Sequence, residues 1–266
     1  YYEYILCYVD DVLCMSANPE KSMRRIQVDF KLEDNKIAEL DVYLGATISK
    51  MTLSDGKVCW TMSPEQYVKA AVNNVEEDLA KHGKRLPSKC VTPFSCNYAP
   101  WLEETPELKA DGVQRFQELI GQLRWAVEIG CVDVLLETAL LLSYLVMPRA
   151  GHLEQAFHIF GYLKTHPKRK IGFDPSHPAI NKNQFQRCDW EEFYRDAIEA
   201  IPENKLEPRG NSMLTYCFVD AKHAGDTVTR RSQTGILLFC NKVPVMWFSK
   251  KHNSMEASTL RSEFTA

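Results

Sequence analysis

The run EYILCYVDDVLCMS at positions 3–16 is apolar and aromatic except at its centre, where two carboxylates, Asp10 and Asp11, stand side by side. Such a run has few ways to fold. Adjacent acids do not continue a buried strand, so the segment reads as two strands rich in Tyr, Ile, Val and Cys around a tight turn at 9–12. Two unit charges about 4 Å apart repel by roughly 4 kcal/mol at an effective dielectric of 20. A divalent cation offsets that repulsion best, and hard carboxylate oxygens suit magnesium or manganese. The plainer alternative is a polar hairpin tip with no ligand.

Periodicity organises the rest of the chain. Residues 20–35 read as a helix of mixed charge, and 41–63 as a hairpin whose turn is Ser54-Asp55-Gly56. A helix then opens with Ser63 as N-cap, Pro64 at the first helical position and Gln66 three residues after the cap, and Gly83 closes it. A proline-bearing basic loop follows. Positions 113–165 alternate at helical spacing with breaks near Gly130 and Pro148, which predicts three helices. Between Cys188 and Pro208, seven acids stand against two bases (Arg195 and Lys205), the composition of a linker with one short helix. The segments MLTYCFVDA, TGILLFC and PVMWFSKK are three expected strands, and a last helix begins within SMEASTLRSEFTA.

Composition excludes several classes. With 266 residues and 45% hydrophobic content the chain can bury a core, and a net charge of −3 carries no global signature of nucleic-acid binding. Nine cysteines are scattered without a C-x-x-C pair, the pattern of a reduced, intracellular protein with buried thiols. The longest apolar run, VDVLLETALLLSYLVM, is short for a bilayer and holds Asp133 and Glu137.

Tyr8-Val9-Asp10-Asp11 resembles the Y-x-D-D motif of reverse transcriptases, and further blocks extend the likeness along the chain. DVYLGATIS resembles the strand pair after that motif, MSPEQYVKAAV the start of the thumb, and CVTPF the segment behind it. ELIGQLRWAVEIGCVDV and PRAGHLEQAFHIFGYLKTHP resemble the helical connection of copia-type LTR retrotransposon polyproteins. FVDAKHAGDTVTRRSQTGILLF, PVMWFSKKHNS and SEFTA are similar to the opening of that family's ribonuclease H module.

The resemblance implies an α+β chain. Residues 1–50 would be the later part of a palm with its hairpin, 51–100 thumb-like, 101–172 the helical connection, 173–210 an acidic linker, and 211–266 the opening β-strands of a ribonuclease H-like α/β module. It implies RNA-directed DNA synthesis by two-metal phosphoryl transfer with Mg2+ or Mn2+. Asp10 would be a metal ligand, Asp11 would support it, and Tyr8 and Val9 would pack near the primer end. Asp220 and Glu263 would hold the ribonuclease metals, where the residues alone read as a strand end and a solvated helix position. The implied partners are an RNA template, a DNA primer, the RNA–DNA hybrid and the rest of the polyprotein, with no membrane. The implied setting is intracellular, in the cytoplasm within the virus-like particle of the complete element, or in the nucleus.

Two departures stand out. Lys222 occupies an expected acid position two residues after Asp220, and Arg261 another, two before Glu263. Asp226 reads as a turn residue. Lys164, Lys168, Arg169 and Lys170, and likewise Arg230 and Arg231, read either as helix-end and loop charges or as contacts to nucleic-acid phosphates, which would be salt-sensitive. His152, His158 and His166 lack ligand spacing and read as surface or packing residues, and Trp60, Trp125 and Trp247 as core.

Glu3 is the one acid ahead of Asp10, and the chain stops just after Glu263, so both carboxylate sites are expected to be incomplete. The chain reads as an inactive fragment of the polymerase, or as a remnant that binds nucleic acid or a partner without catalysis. Strand edges left uncovered in such a fragment favour association. Gel filtration is accordingly expected to show assemblies or aggregates, and a single sharp monomer peak would contradict it.

Overall fold

The computed structural model describes residues 2–9, 11–30, 37–181 and 202–266, with 192, 195 and 200. They form two compact units, one of Tyr1–Ile37 with Ser176–Leu214, the other of Ala38–Pro175 with Thr215–Ala266. Most of the acidic 188–208 stretch and its expected short helix lie outside the described residues, as does Asp10.

The smaller unit begins with an antiparallel hairpin of β1 (Tyr4–Tyr8) and β2 (Asp11–Met15), in a register that sets Tyr8 opposite Asp11. Helix α1 (Pro19–Asp29) follows, started by the Asn18 side chain, which accepts from the Lys21 N–H at 3.1 Å, and by a proline in its first turn. The helix expected to reach residue 35 ends at Asp29, where Phe30 turns extended. Among its described side chains only Met23 is buried, while Val28 and Phe30 are 82% and 67% exposed. Positions 31–35 of the expected helix lie outside the described residues.

In the larger unit, β3 (Val42–Tyr43), β4 (Ala46–Thr52), β5 (Val58–Ser63) and β6 (Ile171–Gly172) form an antiparallel sheet in that order. Gly56, at φ +83, makes the expected turn between β4 and β5. Side chains alternate across β5: Cys59 and Thr61 face inward, and Trp60 faces out opposite Lys50, whose ammonium lies 4.7 Å from the ring centre. Trp60 is 44% exposed and therefore does not belong to the core expected for it.

Helix α2 (Glu65–Lys81) starts one residue later than the cap pattern predicts. Pro64 takes the cap position, because Ser63 ends β5 and donates its hydroxyl to the Arg169 carbonyl at 2.8 Å. At the other end the Gly83 N–H reaches the Ala80 carbonyl and the Lys84 N–H the Leu79 carbonyl, a Schellman closure that needs the positive φ of Gly83. The three helices expected from periodicity are α3 (Ala110–Glu128), α4 (Leu135–Leu142) and α5 (Ala150–Thr165). Their apolar stripes and that of α2 make one core: Val72, Val75 and Leu79 from α2, Phe116, Leu119, Ile120 and Leu123 from α3, Leu141 from α4, and Ile159, Phe160 and Leu163 from α5.

The expected strands appear as an antiparallel sheet of β7 (Thr215–Lys222), β8 (Gln233–Cys240) and β9 (Val243–Lys251), with β8 central. Helix α6 (Thr259–Thr265) follows, with Ser258 as its N-cap. Trp247 joins sheet to helices: it packs against the helical core, and its indole N–H donates to the Val127 carbonyl at 2.8 Å.

Two substitutions probe this core. Phe116→Ala removes a ring with no exposed surface and is expected to cost about 3–5 kcal/mol in denaturant unfolding. Gly161→Ala would set a methyl 2.7 Å from the Pro87 carbonyl oxygen and 2.8 Å from the Cys90 sulfur, and should cost roughly 1–3 kcal/mol in the same measurement.

Candidate carboxylate sites

The first expected site is the β1–β2 tip. Tyr8 and Asp11 face each other across the ladder, so Val9 and position 10 make a two-residue connection. Val9 is 92% exposed at φ +54. A β-branched residue in the left-handed region carries strain of about 1–3 kcal/mol, which a glycine would avoid. Asp11 opens β2 in an exposed position, whereas Asp10 lies outside the described residues.

The second expected site has clear geometry. Asp220 is exposed on β7 opposite Gly235, and Glu263 is exposed on α6. The Glu263 carboxylate accepts the Ala221 N–H at 3.1 Å, which brings it to the residue next to Asp220. Three short polar side chains fix α6 there. Buried Ser262 shares hydrogen bonds with Ser232 at 2.9 Å and with His223 Nδ1 at 2.7 Å. Sequence reasoning missed this Ser232–Ser262–His223 cluster, because small polar residues in a serine-rich stretch carry no periodic signal.

The two cations expected beside this pair behave differently. Arg261 pairs with the buried carboxylate of Glu256 at 2.9 Å. Lys222 is exposed and, with Asp220, lines a cavity of about 500 Å³. Asp226 is the turn residue expected, and more than that. It accepts from the Val228 and Thr229 N–H groups at 3.0 and 2.9 Å and pairs with Lys251 at 2.8 Å, its side chain 3% exposed. Burial opposes its ionisation, but the Lys251 ammonium and the Thr229 hydrogen bonds prevail and lower its pKa from 3.8 to about 2.

Carboxylate oxygens are the donors a hard divalent cation takes, yet among the described residues no group of three His, Cys, Asp or Glu converges on one point. The Glu263 carboxylate reaches the backbone beside Asp220, and one of its oxygens already accepts from the Ala221 N–H. That donor set is too small to hold a metal by itself.

The expected phosphate contacts divide. Arg169 is largely withdrawn from solvent: its side chain is 10% exposed, pairs with Asp133 at 2.9 Å, lies over the Tyr162 ring and donates to the His166 carbonyl. Lys164 pairs with Glu76 at 2.6 Å. Lys168, Lys170, Arg230 and Arg231 are exposed. Of the histidines, His152 is buried, stacks on Tyr144, accepts from the Arg149 N–H and donates to the Pro100 carbonyl, a packing role. Burial lowers its pKa and keeps the ring neutral.

A transposon Ty5-1 protein of Saccharomyces cerevisiae is 33% identical to this chain over 164 residues, 61% of this chain and 49% of that protein. A retrovirus-related Pol polyprotein from transposon RE1 of Arabidopsis thaliana is 21% identical over 265 residues, 98% of this chain and 14% of the polyprotein. The chain thus spans about half the length of the first relative and a small part of the second. No protein-family model and no solved structure matches it.

Asp226 gives the larger unit an acid-dependent term. Its pKa in the folded state lies below the ordinary value, so its contribution is present above about pH 4 and is lost as pH falls from about 4 to about 2, roughly 2 kcal/mol in all. Asp226→Asn should flatten that part of the stability–pH curve. Lys251→Met strands the buried carboxylate and is expected to cost roughly 3 kcal/mol at pH 7, read from thermal unfolding.

Proposed function

We propose that the chain, similar to transposon proteins along most of its length, is part of a copia-type reverse transcriptase–ribonuclease H region of a retrotransposon polyprotein. The Tyr8–Asp11 hairpin contributes to the polymerase centre, and Asp220 with Glu263 to the ribonuclease centre. The substrates are an RNA template with its DNA primer and the RNA–DNA hybrid that results. The observation that carries this reading is the hydrogen bond of Glu263, on a helix far along the chain, to the backbone of the residue next to Asp220. The hairpin register, which turns the chain between Tyr8 and Asp11, supports it independently.

In the complete enzyme, Mg2+ or Mn2+ would stabilise the entering and leaving oxygens of in-line phosphoryl transfer. The carboxylates of this chain would supply part of the ligand set, and other parts of the polyprotein the rest. Alone, the 266 residues are expected neither to extend a primer nor to cleave a hybrid, because no three such ligands converge among the described residues. The exposed Lys168, Lys170, Arg230 and Arg231 would meet backbone phosphates. No helix among the described residues is long and apolar enough to cross a membrane.

The test uses a complete polyprotein carrying these residues. Asp10→Asn is expected to lower DNA synthesis on an RNA template by more than about 100-fold, since losing a direct ligand exceeds the effect of losing its supporting partners. Asp220→Asn should abolish hybrid cleavage and leave polymerisation intact. Full polymerase activity in Asp10→Asn, or full cleavage in Asp220→Asn, would overturn the assignment. Extension by the 266-residue chain alone, lost on Asp10→Asn, would overturn its inactivity.

A further inference from the structure

We propose that His152 is an acid-sensitive clasp: it fastens the strap 99–108 to the start of helix α5, and protonation of its ring releases the strap. Both ring nitrogens face partners whose polarity cannot reverse. Nδ1 accepts the Arg149 backbone N–H at 3.0 Å, and Nε2 donates to the Pro100 carbonyl at 3.0 Å. Only the neutral ring with its proton on Nε2 satisfies both. A second proton would sit on Nδ1 and point at another N–H. The cation therefore cannot keep the Arg149 hydrogen bond.

The remaining fastenings run through the same few residues. The Ala150 N–H donates to the Pro106 carbonyl at 3.0 Å, and the Gly151 N–H to Thr105 Oγ1 at 2.8 Å. The Arg149 guanidinium donates to the Thr105 carbonyl at 2.7 Å, and the Leu108 N–H to the Pro148 carbonyl at 3.0 Å. Arg149, Ala150 and Gly151 are the cap and first two residues of α5. Displacing the ring from the Arg149 N–H thus disturbs the helix start on which these bonds converge.

The surroundings hold the ring neutral. His152 is 1% exposed, stacked on Tyr144 at 4.1 Å between ring centres, with Phe116 of α3 at 6.4 Å. It lies in the first turn of α5, where the helix dipole opposes a cation. The ionisable groups around it are Glu103 on the strap, Arg149 with its partner Glu107, Tyr144, and Tyr98 beside Glu103. Lys251, paired with Asp226, lies beyond Tyr144 at 5.7 Å from that ring. Burial pushes both tyrosines up, so neither ionises in acid. Burial also opposes ionisation of Glu103, but the Thr105 hydrogen bonds prevail, and its carboxylate stays charged at pH 5. For His152, burial outweighs the Pro100 carbonyl and Glu103, and its pKa is lowered from 6.5.

In the released strap the ring regains its ordinary value of about 6.5. The fastened form binds fewer protons, so it is fully favoured above that value and loses ground as pH falls below it. At pH 5 release gains at most roughly 30-fold over neutral pH. This inference does not depend on the polymerase or ribonuclease reading.

Native-state hydrogen exchange of the folded chain reads the release, with rates divided by those of unprotected amides at the same pH. Protection of the Arg149, Ala150 and Gly151 amides is expected to fall about 5–30-fold from pH 7 to pH 5. It should stay at least about 10-fold below that of Leu119 and Leu123 in α3 and respond little to urea, as a local opening does. His152→Phe, which keeps a ring but cannot titrate, should reduce the pH response of these amides below about 2-fold. Nitrogen shifts of the wild-type ring should show Nδ1 unprotonated for as long as the amides are protected. A ring charged at pH 5 with the Arg149 and Gly151 amides still protected would overturn the proposal. So would protection equal to that of α3 with the same urea dependence, or a pH response retained in His152→Phe.

Discussion

Burial of the α3 stripe governs the larger unit. Phe116, Leu119, Ile120 and Leu123 recur at helical spacing and each has no exposed surface. Removing a large apolar side chain from water contributes about 1.5–3 kcal/mol, so these four outweigh the solvent-exposed ion pairs Lys57–Asp55 and Lys69–Glu65, which water and salt screen. The helices α2 and α5 take their positions from this stripe, because Val72, Val75 and Leu79 on one and Ile159, Phe160 and Leu163 on the other complete the same core.

The β7–β9 sheet is attached to that core by one residue above all. A helix leaves its last four carbonyls without intrahelical donors, and Val127 lies in the final turn of α3. The Val127 carbonyl accepts both the Gly130 N–H at 3.0 Å and the Trp247 indole N–H, while the indole ring covers the adjoining apolar surface. Asp220 thus stands on a sheet tied to the helical core, and Glu263 reaches that sheet through the Ala221 N–H. The β1–β2 hairpin belongs to the smaller unit.

Legibility in the sequence followed the range of the forces involved. The β4–β5 turn at Gly56, the Gly83 closure and the three helices between residues 110 and 165 were readable, because turn chemistry and amphipathic period act within a few residues. The fate of single polar and aromatic side chains was not. Arg169 looks like any basic residue in KTHPKRK, yet it is held by Asp133, 36 residues away. Trp60 sits in an apolar run, but the two-residue alternation of β5 turns it outward over Lys50. Asp226 reads as a turn, and only the return of β9 brings Lys251 to its carboxylate.

By itself the sequence determined where the strands, turns and helices form, and it presented Asp10, Asp11, Asp220 and Glu263 as acids set against apolar strand and helix patterns, because these properties follow from neighbours in the chain. Only the tertiary structure decided that Glu263 reaches the Ala221 amide, that Ser232, Ser262 and His223 fix α6, and that Trp247 ties the β7–β9 sheet to the end of α3. Those outcomes depend on distances between residues tens of positions apart, which packing sets and local pattern does not encode.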